Sequence, residues 1–223
     1  LVKDNIEAIG LPGAAGSTAL TSSGRDAPLV TSLRQAGAII LGSTNLSQWA
    51  NIRSPRSSSG YSARGGLVVN PWALDRSAGG SSSGSGAAIA AGLAPLAIGT
   101  ETDGSIVCPA SLNGVVGLKP TVGSVSRDGI VPISHSQDSP GPMARSVEDV
   151  VLCTQALLTL GRATDPRVVD ASNWRTGHPA TDALVDQAVS ALARTVTVTK
   201  RTATSSNDSV DNDELHVLLA ELK

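Results

Sequence analysis

Two rhythms of apolar and polar positions run along the chain. From Pro28 to Ala36 the apolar residues Leu29, Val30 and Leu33 share one helical face, and Gly37 closes the segment. Ala38-Ile39-Ile40-Leu41 is then a short continuous apolar run, the pattern of a buried strand in a parallel sheet. Upstream, Leu1-Val2-Lys3-Asp4-Asn5-Ile6 reads as the end of an apolar strand entering a polar turn. Strand, helix and strand in this order predict an α/β fold.

The rhythm continues. Asn45 to Ala50 predicts a short helix capped by Thr44 or Asn45, followed by a Ser/Arg/Gly-rich loop over 53–66. Gly79-Gly80-Ser81-Ser82-Ser83-Gly84-Ser85-Gly86 leads into a small-residue helix at Ala87–Ala91, stopped by Gly92. Leu96-Ala97-Ile98-Gly99 is a second buried strand and residues 100–106 a tight polar turn. Pro109 opens another helix or turn, and Val115 to Leu118 is a further strand. Ser146-Val147-Glu148-Asp149 has helix-cap spacing, with Ser146 as N-cap and a helix to about Leu160. Residues 161–181 read as irregular, Asp182 to Arg194 as helix, Thr195 to Thr199 as strand and 205–213 as loose. Leu215, Leu218, Leu219 and Leu222 put a last helix at 214–223.

Charge removes some partners. The 223 residues carry 17 basic and 19 acidic side chains, a net charge of -2, which argues against a nucleic-acid partner. The longest apolar stretch, Ala87–Ala97, is broken by Gly92 and Pro95 and falls short of the ~20 residues of a membrane span. No membrane partner is expected, and the expected compartment is the cytoplasm. Two cysteines, Cys108 and Cys153, make no disulfide framework, and His135, His178 and His216 lack zinc-ligand spacing. Aromatic residues are 2%, so the core must be aliphatic. Lysine is scarce: only Lys3, Lys119, Lys200 and Lys223.

Two segments carry candidate chemistry. A Gly/Ser run alone reads most often as a linker, but this one enters an apolar helix and strand. A phosphate loop would need a Lys after the glycines, and none follows. Ser105 follows Gly104 in a turn directly after a strand. A nucleophile placed there is presented rigidly, with backbone N–H groups of the turn aimed at the same spot. A serine in an ordinary β-turn is the competing reading.

These segments resemble the amidase signature family of serine hydrolases. The match runs through Val2-Lys3-Asp4-Asn5, Thr44-Asn45-Leu46-Ser47, Gly79 to Gly84, Gly99 to Pro109, Gly114 to Thr121 and Ser136 to Arg145. The Thr-Glu-Thr-Asp-Gly-Ser-Ile-Val-Cys-Pro wording at 100–109 is similar to the peptide amidase branch. The resemblance implies a mixed central sheet covered by helices. It implies a Ser–cis-Ser–Lys triad: Ser105 as nucleophile, Ser81 as proton relay and Lys3 as base. It implies an oxyanion hole of backbone N–H groups from Thr102, Asp103, Gly104 and Ser105. The substrate would be a small-molecule or peptide amide, with no cofactor and no metal; monomer and homodimer both stay open. The family's members are about twice this length. Residues 1–160 are therefore expected to be the signature core, and 161–223 the start of the second half of the same domain. Both ends are expected to be truncated.

The chemistry suits these roles. A free lysine, with a pKa of ~10.4, is a poor base at neutral pH, so burial must lower it. Other residues have plainer readings: Lys119 as structural or surface, Cys108 as a small buried packing residue rather than a thiol partner of His135, Asp138 and Arg145 as an ion pair. Tyr61, Trp49 and Trp72 read as pocket walls or core. Two further readings stay open: an inactive remnant of an amidase, and an amidotransferase A-type subunit that needs a partner chain. The second would need Gly-Gly-Ser-Ile-Arg where this chain has Asp103-Gly104-Ser105-Ile106-Val107.

Overall fold

The computed structural model describes residues 1–158, 168–170 and 177–200. Residues 1–158 belong to one compact unit, and 168–170 with 177–200 to a second. In the first, the strands are β1 (Val2–Lys3), β2 (Ser43–Thr44), β3 (Tyr61–Ser62), β4 (Gly66–Leu67), β5 (Val69–Asn70), β6 (Ala73–Ser77), β7 (Leu96–Glu101), β8 (Val116–Gly117) and β9 (Ser139–Ala144). The helices are α1 (Pro28–Gln35), α2 (Ser83–Ala90), α3 (Val107–Asn113) and α4 (Val147–Leu157). The expected helix after Asn45 is one tight turn, Gln48–Asn51, in which Trp49 and Ala50 take positive φ.

A five-stranded sheet of order β2-β1-β7-β9-β8 forms the centre. β1 is parallel to β2 and β7, and β9 is antiparallel to β7 and β8, so the sheet is mixed. Val2 and Ile98 are register partners and share one core with Leu29, Val30 and Leu33 of α1 and Cys153 and Leu157 of α4. Side chains alternate along a strand, so Lys3 starts toward the opposite face. Ala97 and Met143, paired in register, pack with Ile89 of α2, with Ile106 just before α3 and with Ala110 of α3. That side is built for close approach: a Cβ on Gly84 would sit 2.4 Å from the Asn45 carbonyl oxygen.

Some elements differ from the expectation. The run Ala38–Leu41 is not the strand; β2 lies just beyond it, at the sheet edge. Ala38 and Ile40 pack partly on the core while Ile39 and Leu41 face out, 82% and 64% exposed, as alternation at an edge allows. β9 has no apolar alternation to announce it, yet all six of its residues are buried. Its prolines are tolerated for a definite reason. The Pro142 carbonyl accepts from Leu118 N–H, so Pro142 and, two residues away, Pro140 turn their missing donors away from β7. The Ser146 cap is as expected: its hydroxyl accepts from Asp149 N–H at 3.1 Å. In the second unit, parallel strands β10 (Val168–Asp170) and β11 (Val198–Lys200) flank helix α5 (Pro179–Leu192). The helix expected at 214–223 lies outside the described residues.

Candidate active site

Lys3 ends β1 and is wholly buried. Its Nζ lies 2.7 Å from Ser81 Oγ, 2.8 Å from Thr100 Oγ1 and 3.0 Å from the Thr100 carbonyl oxygen. Burial pushes the amine down from its ordinary 10.5 to about 7, against the carboxylates of Glu101 and Asp138, which favour the charged form. A lysine that exchanges protons near neutrality is the outcome.

Ser81, also fully buried, precedes α2 and follows a cis Gly80–Ser81 peptide bond. Its carbonyl accepts from Ser47 N–H at 3.0 Å. Gly80 has no room for a side chain, because a Cβ there would lie 2.4 Å from Ser47 Oγ. That hydroxyl is held by Gly60 N–H at 2.8 Å and cannot simply swing aside. Gly80→Ala should therefore cost about 1–3 kcal/mol of stability, read as a lower midpoint in urea, and should disturb the Ser81–Lys3 contact.

Ser105 sits in the turn between β7 and α3 and is 8% exposed. Its carbonyl accepts from Ser82 N–H at 3.1 Å, which fixes this turn against the Ser81-Ser82 segment. Its hydroxyl makes no hydrogen bond among the described residues, to Ser81 Oγ or to any other atom. The structure thus brings Lys3 and Ser81 into direct contact and ties Ser105 to them through the backbone. The N–H groups of Thr102, Asp103, Gly104 and Ser105 have no acceptor among the described residues.

Three further residues hold this turn, and no sequence pattern had assigned them that part. Glu101 Oε2 accepts from the N–H groups of Ile106 and Val107 at 2.6 and 2.9 Å, which caps the start of α3. Asp138 Oδ1 takes the Thr102 hydroxyl at 2.5 Å, and its Oδ2 takes Ile133 N–H at 2.8 Å. Thr100 gathers Lys3 and, at 3.0 Å, Asn5 Nδ2. All three, and Asn5, stand inside the matched motifs, Asn5 beside Lys3, Thr100 and Glu101 just before Ser105 and Asp138 within 136–145, which is the signal that could have found them. A cavity of about 400 Å³ adjoins the turn, lined in part by Asn5, Thr100, Thr102, Ile130, Ile133 and Asp138.

Other expectations are corrected. Asp138 and Arg145 are not an ion pair; Arg145 donates to the carbonyls of Ile89 and Ala94. Cys108 is exposed rather than buried. Tyr61 and Trp72 are exposed, at 52% and 72%, and line no core; the Trp72 indole N–H binds the Asn113 carbonyl. Among the described residues no group of three His, Cys, Asp or Glu side chains could hold a metal, and no helix is long and apolar enough to cross a membrane.

Comparison with known proteins places these features in context. The family profile described as Amidase matches residues 1–193. A Schizosaccharomyces pombe protein named as a putative amidase is 51% identical over 160 residues, 70% of this chain and 27% of its own. The A component of the glutamyl-tRNA(Gln) amidotransferase of Methanosarcina mazei is 46% identical over 153 residues, 68% of this chain and 31% of its own. The crystal structure of native peptide amidase from Stenotrophomonas maltophilia superposes on the whole chain with a TM-score of 0.82 and 47% identity, and 51% of that chain is covered. The chain thus spans about half the length of the solved structure it matches and less than a third of these curated relatives.

Proposed function

This chain belongs to the Amidase family, and from that membership we propose that it cleaves a carboxylic or peptide amide C–N bond through an acyl-enzyme on Ser105. The observation that carries the reading is the buried Lys3 amine, poised near neutrality, 2.7 Å from Ser81 Oγ and next to a serine turn with unpaired N–H groups.

The steps follow from the residues. Neutral Lys3 takes the Ser81 proton while Ser81 takes that of Ser105, whose Oγ attacks the amide carbon. The carbonyl oxygen becomes an oxyanion, which the N–H groups of Thr102, Asp103, Gly104 and Ser105 stabilise. Ser81 then gives a proton to the leaving amine, and Lys3 gives its own back to Ser81. Water repeats the sequence on the acyl-enzyme and frees Ser105. The Ser81–Ser105 hydrogen bond forms as substrate closes the site, since such bonds are often long or unmade before binding.

Specific similarity favours one second reading. Amidotransferase A components match at 45–52% identity, so transfer of an amide nitrogen with a partner chain is the alternative. The chain departs from their expected turn at Asp103 and Val107. The two readings separate on a panel of aliphatic, aryl and peptide amides. The protein alone should release ammonia or amine from at least one of them; release only on addition of a partner chain would favour the alternative.

A further inference from the structure

We infer that Asn5 and Thr100 are positioning residues that aim the lone pair of neutral Lys3 at Ser81. The inference rests on Lys3 being the base.

A neutral lysine amine has two N–H groups and one lone pair. Lys3 Nζ has three neighbours: Ser81 Oγ, Thr100 Oγ1 and the Thr100 carbonyl oxygen. The carbonyl can only accept, so it takes one N–H. For the lone pair to receive the Ser81 proton, the second N–H must go to Thr100 Oγ1. After the transfer, Lys3 is an ammonium that donates to all three neighbours. In both states Thr100 Oγ1 accepts from Lys3, so the threonine's own proton must go elsewhere.

The partner within reach is Asn5. Its Nδ2 faces Thr100 Oγ1 at 3.0 Å, and its Oδ1 is buried without a partner among the described residues. With Nδ2 facing, the Thr100 proton has no acceptor among the described residues but Lys3 Nζ, where it occupies the lone pair that Ser81 needs. With the amide turned half a revolution, Oδ1 takes the Thr100 proton and the chain runs Ser81 to Lys3 to Thr100 to Asn5. Either orientation leaves one amide atom unpaired, so Thr100 decides between them, and the turned amide is the working state. The Asn5 backbone is already fixed, since its carbonyl accepts from Val131 N–H.

Asn5→Leu and Thr100→Val should each lower kcat on the high-pH plateau by about 10- to 100-fold, with KM little changed. The double variant should be no worse than Thr100→Val alone, because both break one chain. Thr100→Ser, which keeps the hydroxyl, should restore most of the rate. The direction of titration separates ordering from loosening. Without Asn5, Thr100 donates to the neutral amine and the Lys3 pKa falls further; a merely loosened site would readmit water and raise it. The carboxylates that also act on Lys3, Glu101 and Asp138, are untouched by these substitutions, as is Asp4, which binds Ala14 and Gly16 N–H. Lys3 can be titrated directly by NMR of ¹⁵N-lysine-labelled protein, since the chain has four lysines. A lowered Lys3 pKa in Asn5→Leu with the non-additive rate loss supports the inference. A raised or unchanged pKa, additive losses, or a wild-type plateau in Asn5→Leu overturns it. Activity retained in Lys3→Met would instead overturn the underlying assignment of the base.

Discussion

Ser105→Ala is expected to reduce amide hydrolysis by about 10⁴-fold or more. The loss should appear in kcat, because the substitution removes the attacking atom and leaves the turn's N–H groups in place. The substitution is small and the residue's structural contact is made by its carbonyl, which takes Ser82 N–H, so the fold should survive it. An unchanged urea midpoint with lost turnover is the expected pair of measurements. Turnover within tenfold of the parent protein would remove Ser105 from the nucleophile's place.

Lys3→Met has the second largest expected effect, about 10²- to 10⁴-fold on kcat. The parent protein should gain activity as pH rises through about 7, because protonated Lys3 cannot accept the Ser81 proton. Lys3→Met should lose that limb. The same burial acts on stability, and its sign is fixed. Between pH 7 and 10.5 the unfolded lysine holds a proton that the folded one has released. The stability of the parent protein relative to Lys3→Met should therefore rise with pH in this window, by up to ~1.4 kcal/mol per unit, and be level below and above it. Urea unfolding at pH 6, 8 and 10 reads this directly. A difference that falls with rising pH would contradict a lysine buried in neutral form.

Local patterns made much of the fold legible, and long-range contacts hid the rest. α1 was readable because Leu29, Val30 and Leu33 keep the helical period, and the Ser146 cap because its partner Asp149 lies three residues away. β7 and the Ser105 turn were readable because an apolar run ends in polar and glycine residues. β9 was not, since Ser-Pro-Gly-Pro-Met-Ala violates strand preferences and only its pairing with β7 and β8 explains it. Ile39 and Leu41 misled because an apolar run does not say whether it is a buried strand or a partly exposed approach to an edge strand. Ser105 stood out by its place in the turn after a strand, whereas the roles of Lys3 and Ser81 came only through the resemblance. The Lys3–Thr100 contact joins residues 97 positions apart, and no local pattern marks it. Asp138 was assigned the wrong partner because charge alone suggested Arg145, whereas geometry gives it the Thr102 hydroxyl and the Ile133 N–H.

The central claim is that the buried Lys3–Ser81 pair activates Ser105. The most direct measurement is covalent trapping: the protein is treated with a fluorophosphonate, and the modified peptide is mapped by mass spectrometry across a pH series. One adduct is expected, on Ser105, formed faster as pH rises through about 7, absent in Ser105→Ala and strongly slowed in Lys3→Met. An adduct on another residue, or labelling of Ser105 that is indifferent to pH and to Lys3→Met, would contradict it.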